Sequence, residues 1–269
     1  MISLPLVYTI LALIAYTTSF WYLFMHLMSK HNPNSWLIGS VVSLGLALHA
    51  AVLYNSMLTP LGINYDVFNL ISFTSGLMLL MSLIFSTFRP ILALNLIGIP
   101  VAATGLILGY AFSRPDQFIE RHSLGLDLHI ILSLSAYAVL LMATIHAILL
   151  WFQDRELKKK QKHRFWVNLL PPFQAMESLL FDLLRTGFVL LTVALAFGFF
   201  TVENFLGQHL AHKTVFSIIS WIIYGALLIG HAKFGWRGQK AIRFTLIGFI
   251  LLAIGFIGSK MILELILGI

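Results

Sequence analysis

The chain of 269 residues contains no cysteine. That excludes disulfides, thiolate metal sites, iron–sulfur clusters, thiol redox chemistry and a C-x-x-C-H haem attachment site. Charge is scarce as well. Asp, Glu, Lys and Arg make up 10% of the residues, where a soluble domain carries about 25%, so a water-solvated globule is excluded. Acidic residues are the rarest, 10 against 17 Lys and Arg, and most fall between apolar runs. Only Glu264 lies within one, which leaves no material for a relay of membrane-buried carboxylates. No H-E-x-x-H sequence, acidic pair or nucleophile–base arrangement is visible, and the chain reads as non-enzymatic. It also shows no soluble domain, low-complexity tract or clear internal repeat.

What is present is apolar: 59% of the residues are hydrophobic. The runs are continuous rather than alternating, which implies membrane-spanning helices and not a barrel. Eight spans are expected: 4–28, 36–57, 67–88, 91–112 with a kink at Pro100, one opening after Ser123, 186–200, 214–230, and one within 244–269 interrupted by Gly258-Ser259-Lys260. Residues 173–185 mix Gln174, Glu177, Asp182 and Arg185 with apolar neighbours and read as an interfacial approach to the sixth span. The first run is too long for a signal peptide, with no basic n-region and no small-residue cleavage site, and is expected to remain as a span. The fold class is therefore an all-α polytopic membrane helix bundle, one transmembrane domain over 1–269.

Charge sets the orientation. Arg155, Lys158, Lys159, Lys160, Lys162 and Arg164 close the fifth span, and such a block marks the cytoplasmic side. With eight spans and both termini periplasmic, Lys30, Arg89, Lys233, Arg237, Lys240 and Arg243 fall on that same side. Arg114, Arg121, Lys213 and Lys260 fall on the other. The net charge of +7 then reflects membrane insertion and attraction to anionic lipid, not nucleic acid. Gly235-Trp236-Arg237-Gly238 reads as an interfacial anchor.

Histidines are the unusual feature. His26, His49, His129, His146 and His231 lie in or at the ends of spans, and His122, His209 and His212 in outer loops. Counting from Trp36 at ~1.5 Å per residue puts His49 roughly 20 Å from the inner boundary. His129 lies ~9 Å into the fifth span by the same measure. The two are expected to share one depth in the outer half of the bundle, where two neutral imidazoles supply bis-histidine haem ligation. Arg114, Arg121 or Lys213 would pair with the propionates. The bland reading is that each histidine bonds a neighbouring helix, and His146 is read that way. His26 and His231 form a weaker inner pair. His122, His209 and His212 are loop residues placed to complete or gate an outer site, with simple solvent exposure as the bland reading. A zinc site drawn from His122, His129, His209, His212 and Glu203 is the competing metal reading, without a compact ligand motif.

Several stretches in one order carry a resemblance: L-D-L-H-I-I-L-S-L-S-A-Y-A-V-L-L-M-A before the basic loop, L-P-P-F-Q-A-M-E-S-L-L-F, R-T-G-F-V-L-L-T, H-K-T-V-F-S-I-I-S-W-I-I-Y-G-A-L-L, G-W-R-G and F-I-G-S-K. Together they resemble the cytochrome c assembly protein family, related to the CcsA and CcmC proteins, and within it the YpjD- and HemX-like inner-membrane branch. The likeness is strongest over about 124–260 and looser over the first four spans. It implies a haem-handling protein of the bacterial inner membrane, binding haem non-covalently (b-type) and tied to cytochrome c maturation components. His129 matches a family haem ligand, and His231 lies near a second. The family's tryptophan-rich motif is missing from T-V-E-N-F-L-G-Q-H-L-A-H-K, and no histidine follows His231. His49 is expected to stand in for the missing outer ligand. A haem-free accessory or regulatory protein and a small-molecule transporter are the other readings.

Overall fold

In the computed structural model, residues 3–29, 34–60, 62–88, 94–114, 119–120, 124–159, 170–201 and 211–255 are described. In chain order they form α1 (Leu4–Met28), α2 (Ser35–Met57), β1 (Leu58–Thr59), β2 (Gly62–Asn64), α3 (Val67–Phe88), α4 (Asn95–Phe112), β3 (Ile119–Glu120), α5 (Leu124–Leu157), α6 (Phe173–Thr201), α7 (Ala211–Phe234) and α8 (Gln239–Ala253). Seven of these helices are long and apolar enough to cross a membrane. The exception is α8, described over 15 residues. The Gly258-Ser259-Lys260 interruption lies outside the described residues. The chain divides into two compact units, Met1–Arg121 and His122–Ile269.

In the first unit, side chains start two of the four helices. Asn34 Oδ1 accepts from the Trp36 and Leu37 amides at the start of α2, and Asp66 Oδ1 accepts from Phe68 N–H at 2.8 Å at the start of α3. Each satisfies donors that a helix leaves orphaned in its first turn. Small residues then let the helices approach. A Cβ on Gly105 would lie 2.0 Å from Ser75 Oγ, and one on Gly109 2.6 Å from Ser72 Cβ, so α4 packs its G-x-x-x-G face on α3. Pro100 lies inside α4, which runs unbroken from Asn95 to Phe112.

The loop expected as a plain polar turn at 59–66 carries strand pairing. Antiparallel β1 and β2 pair Leu58 with Ile63, and β2 pairs with β3 through Ile63–Glu120 and Asn64–Ile119. Asn64 reinforces this: its Nδ2 donates to Arg114 O at 2.8 Å and its Oδ1 accepts from Asp66 N–H at 2.9 Å. Two connections distant in sequence are thereby tied by backbone bonds.

In the second unit α5 and α6 are antiparallel, joined where polar side chains of α5 meet backbone carbonyls. His129 pairs with Ala194 O, His146 with Met176 O, and Gln153 with Pro171 O. Between them Leu140 fills the space above Gly187, where a Cβ would be 2.6 Å from Leu140 Cδ2. This pairing corrects the expectation for 173–185. That segment is not a separate interfacial approach but the first half of α6. Met176, Leu179, Leu180, Phe181, Leu183 and Leu184 are buried in it. Its polar residues occupy the opposite face, as an amphipathic helix against a partner requires. On α7, Trp221 stacks on Phe188 and donates Nε1–H to Thr192 Oγ1 at 2.8 Å.

Candidate functional site

His129 lies five residues into α5, about 7.5 Å from its first residue at 1.5 Å per residue. Its Nδ1 is 2.8 Å from Ala194 O. A carbonyl only accepts, so Nδ1 carries the proton and donates, and the lone pair rests on Nε2. That is the tautomer in which an imidazole binds a metal through Nε2 with its other nitrogen oriented by the protein. The slot for the ring comes from small residues on α6. Ala194 and Gly198 stand one turn apart, and a Cβ on Gly198 would fall 2.7 Å from His129 Cε1. Nε2 makes no hydrogen bond among the described residues, and the donor chemistry of His129 fits haem iron.

His49 is differently placed. It is 1% exposed, with Nδ1 3.1 Å from Tyr16 Oη and Nε2 2.9 Å from Ser72 Oγ. One ring nitrogen donates and the other accepts, so both are engaged inside the first unit. Gly45 makes room for the Tyr16 ring, 2.7 Å from a Cβ built there, and Gly76 lies against the imidazole. While both bonds hold, His49 has no lone pair to offer a metal.

The remaining histidines separate by role. His146 is 1% exposed and donates Nε2–H to Met176 O at 2.7 Å, a helix-to-helix contact as expected. His231 lies in the last turn of α7, stacked on Phe181 at 3.5 Å between ring centroids. Its Nδ1–H donates to Trp236 O at 2.9 Å, and its own carbonyl accepts from Gly235 N–H. His231 therefore closes the Gly235-Trp236-Arg237-Gly238 turn, and its Nε2 makes no hydrogen bond among the described residues. Gly235 and Gly238 have φ of 63° and 55°, the left-handed region that glycine enters without strain. Glu177 Oε1 accepts from Gly238 N–H at 2.6 Å, so α6 supplies the cap of α8. The stretch read as an anchor is a built helix junction. His26 Nδ1 bonds Tyr22 O, one turn back on its own helix. His212 lies in the first turn of α7 and not in a loop, while His122 and His209 fall outside the described residues. Among the described residues no three of His, Cys, Asp or Glu gather as a metal cage; Glu203, named in the zinc reading, also lies outside them.

The model of the cytochrome C assembly protein family matches residues 4–267. The chain belongs to this family. It is 31% identical over 269 residues to the inner membrane protein YpjD of Escherichia coli K12, covering 97% of this chain and 99% of the relative. More distant is the cytochrome c biogenesis protein CcsA of Parasynechococcus marenigrum, 23% identical over 197 residues, 61% of this chain and 65% of that one. The CcsA of Chlamydomonas reinhardtii is 21% identical over 195 residues, 68% and 53%. No solved structure matches. With its membrane-capable helices and its YpjD relative, this family member is a multi-pass inner-membrane protein.

Sequence reasoning singled out His129 and His49 but not their partners. Ala194, Gly198, Tyr16 and Ser72 belong to helices far off in the chain. For Ala194, Gly198 and Ser72 the signal is spaced small residues, Ala194-x-x-x-Gly198 and Gly105-x-x-x-Gly109, which mark where another helix comes close; for Tyr16 it is Gly45, which makes room for the ring.

Proposed function

We propose that the protein binds haem during cytochrome c assembly, with His129 Nε2 as an axial ligand in the outer half of the membrane. The observation that carries this is the Nδ1–Ala194 bond, which presents His129 in the ligating tautomer. Family membership and the CcsA relatives support the cytochrome c context. In this reading haem is b-type and non-covalent, and supplies an iron centre that can be held, transferred or poised in redox state. The chain's own residues bind and orient it without catalysis. Its eight spans form one membrane domain with both termini periplasmic, and its partners are lipid, haem and cytochrome c maturation components.

His49 is the second ligand in this proposal only if its bond to Ser72 or Tyr16 opens. A specific observation favours a second reading of His49. Both its nitrogens are satisfied at 1% exposure, which suits the polar hub of the first unit. An absorption spectrum of gently purified protein, oxidised and reduced, tests both. Haem binding predicts a low-spin spectrum in the wild type that is lost in His129→Ala. A ligand His49 predicts that His49→Ala turns the spectrum high-spin; a hub predicts an unchanged spectrum and a lower Tm. Wild-type protein without haem after haem-replete expression would turn the reading to a haem-free accessory protein.

A further inference from the structure

The second unit carries positive charge that nothing neutralises at one end. Lys233 lies in the last turn of α7, Arg237 in the turn that follows, and Lys240 and Arg243 in the start of α8; all four are exposed. None of these side chains has an ion pair or hydrogen bond among the described residues. The described carboxylates at that end are engaged elsewhere. Asp154 Oδ2 accepts from Lys158 Nζ and Gln239 Nε2, Glu156 from Lys159, Asp182 from Arg185, and Glu177 from the Gly238 amide. Membrane insertion favours Lys and Arg on one face and accounts for the sign of this charge. It does not require that the four cations be left unpaired, nor does it set what lies beside them.

Each helix places its cation at the head of an exposed apolar stripe. On α8, Lys240, Arg243, Ile247, Ile250 and Ile254 are exposed, and spacings of three and four put them on one face. Arg243 to Ile254 spans about 16.5 Å at 1.5 Å per residue, close to half of a hydrocarbon core about 30 Å thick. The stripe is one leaflet long, with cations at headgroup level and isoleucines below. On α7, Lys233, Ile229, Ala226 and Ile222 are exposed at the same spacings. Trp236 joins the two helices. Gly230 of α7 leaves room for its ring, which lies 5.3 Å from Phe244 of α8, with Lys240 Nζ 5.4 Å from its centroid. A tryptophan of this kind sits at the membrane interface. Two cation-headed stripes thus stand on packed neighbours, with Arg237 in the turn between them.

The occupant that complements this face brings fixed negative charge at headgroup level and acyl chains below it. A lipid with one phosphate neutralises one stripe. Two phosphates in one headgroup engage both, because the second contact is then intramolecular. We infer that the α7–α8 end binds a phospholipid of the cardiolipin class, one phosphate at Lys240 and Arg243 and the other at Lys233 and Arg237, with acyl chains along the two stripes. This site is separate from His129 and stands whether or not haem binds there.

The test uses the full chain in dodecylmaltoside micelles, titrated with cardiolipin or with phosphatidylglycerol at equal phosphate. Native mass spectrometry counts the lipids retained. One cardiolipin is expected to stay bound at saturation, and phosphatidylglycerol to be retained more weakly. Lys240→Gln/Arg243→Gln should raise the half-saturating cardiolipin concentration roughly twentyfold, about fivefold per cation. Lys158→Gln/Arg185→Gln removes the same charge from side chains already ion-paired and should leave it unchanged. The side chains of Lys240 and Arg243 are exposed, so Tm without cardiolipin should match the wild type, which separates loss of the site from loss of the fold. Three results would overturn the proposal: no retained cardiolipin, equal retention of phosphatidylglycerol, or a half-saturation that the two double variants shift alike or not at all. Haem absorbance on the same samples reports the His129 reading independently.

Discussion

The Nδ1 of His129 sits 2.8 Å from the carbonyl oxygen of Ala194, and this bond between α5 and α6 decides which ring nitrogen faces away. Ala194 and Gly198 together form a seat in which the imidazole cannot rotate without losing its acceptor. The seat leads to a first prediction. Gly198→Val puts a side chain where a Cβ alone would be 2.7 Å from His129 Cε1, and overpacking of this kind costs about 1–3 kcal/mol. Haem per protein, read from the Soret band, is expected to fall at least as far as in His129→Ala, with expression retained. A normal haem content in Gly198→Val would mean that the Ala194 seat does not set the ligand.

The Tyr16–His49–Ser72 chain predicts coupling. Tyr16→Phe and Ser72→Ala each leave one His49 nitrogen unpaired in a dry core. Hydrogen bonds between membrane helices are worth about 0.6 kcal/mol on average and up to ~1.7, so each change should lower stability within that range. Because both act through one ring, the double variant should lose less than the sum of the two. Strict additivity in a thermal-denaturation cycle would count against a connected hub.

Close approach of α3 and α4 predicts a contrast between glycines. Gly105→Leu collides with Ser75, whose Oγ lies 2.0 Å from the Cβ position, and is expected to destabilise the first unit by about 1–3 kcal/mol. Gly39→Ala meets nothing nearer than Leu83 at 3.9 Å and should be neutral or slightly stabilising. Detergent-solubilised Tm values of the pair check both.

The Glu177–Gly238 bond predicts a local effect at the α7–α8 junction. Glu177→Ala removes the acceptor of the Gly238 amide, the N-cap residue just before α8, and a lost hydrogen bond of this kind costs about 0.5–1.5 kcal/mol. Amide hydrogen exchange should speed up around 236–242 and stay unchanged in α1–α4. Exchange as slow as in the wild type at Gly238 would show that the cap contributes nothing.

The absence of cysteine allows a direct test of orientation. Lys158, with a side chain 67% exposed, is expected on the cytoplasmic face, and Ser113, after α4, on the periplasmic one. A membrane-impermeant maleimide should label Ser113→Cys in intact spheroplasts and Lys158→Cys only in inverted vesicles. The reverse pattern would turn the bundle over, and with it the placing of His129 in the outer half.

Much of this protein is written locally. Apolar runs and the basic block after α5 made the membrane class and most helix positions readable, because a chain in lipid must satisfy its backbone within each helix. The short strands β1, β2 and β3 were not readable, since two or three residues carry no periodicity and the pairing of Asn64 with Ile119 joins distant loops. The 173–185 segment was misread for a related reason. Its polar residues read as interfacial in the sequence, and the structure buries the apolar face opposite them. The site divides in the same way: His129 and His49 stood out as ionisable residues in apolar runs, whereas their hydrogen-bond partners depended on neighbouring helices.

By itself the sequence determined that this chain lives in a bilayer, which end of α5 carries the basic block, and which histidines are exceptional. These follow from hydrophobicity and charge, which act residue by residue along the chain. Tertiary structure alone decided that His129 keeps an open nitrogen while His49 spends both. An imidazole's chemistry is set by what its two nitrogens touch. Those contacts come from Ala194, Tyr16 and Ser72, residues that only helix packing brings within hydrogen-bond distance.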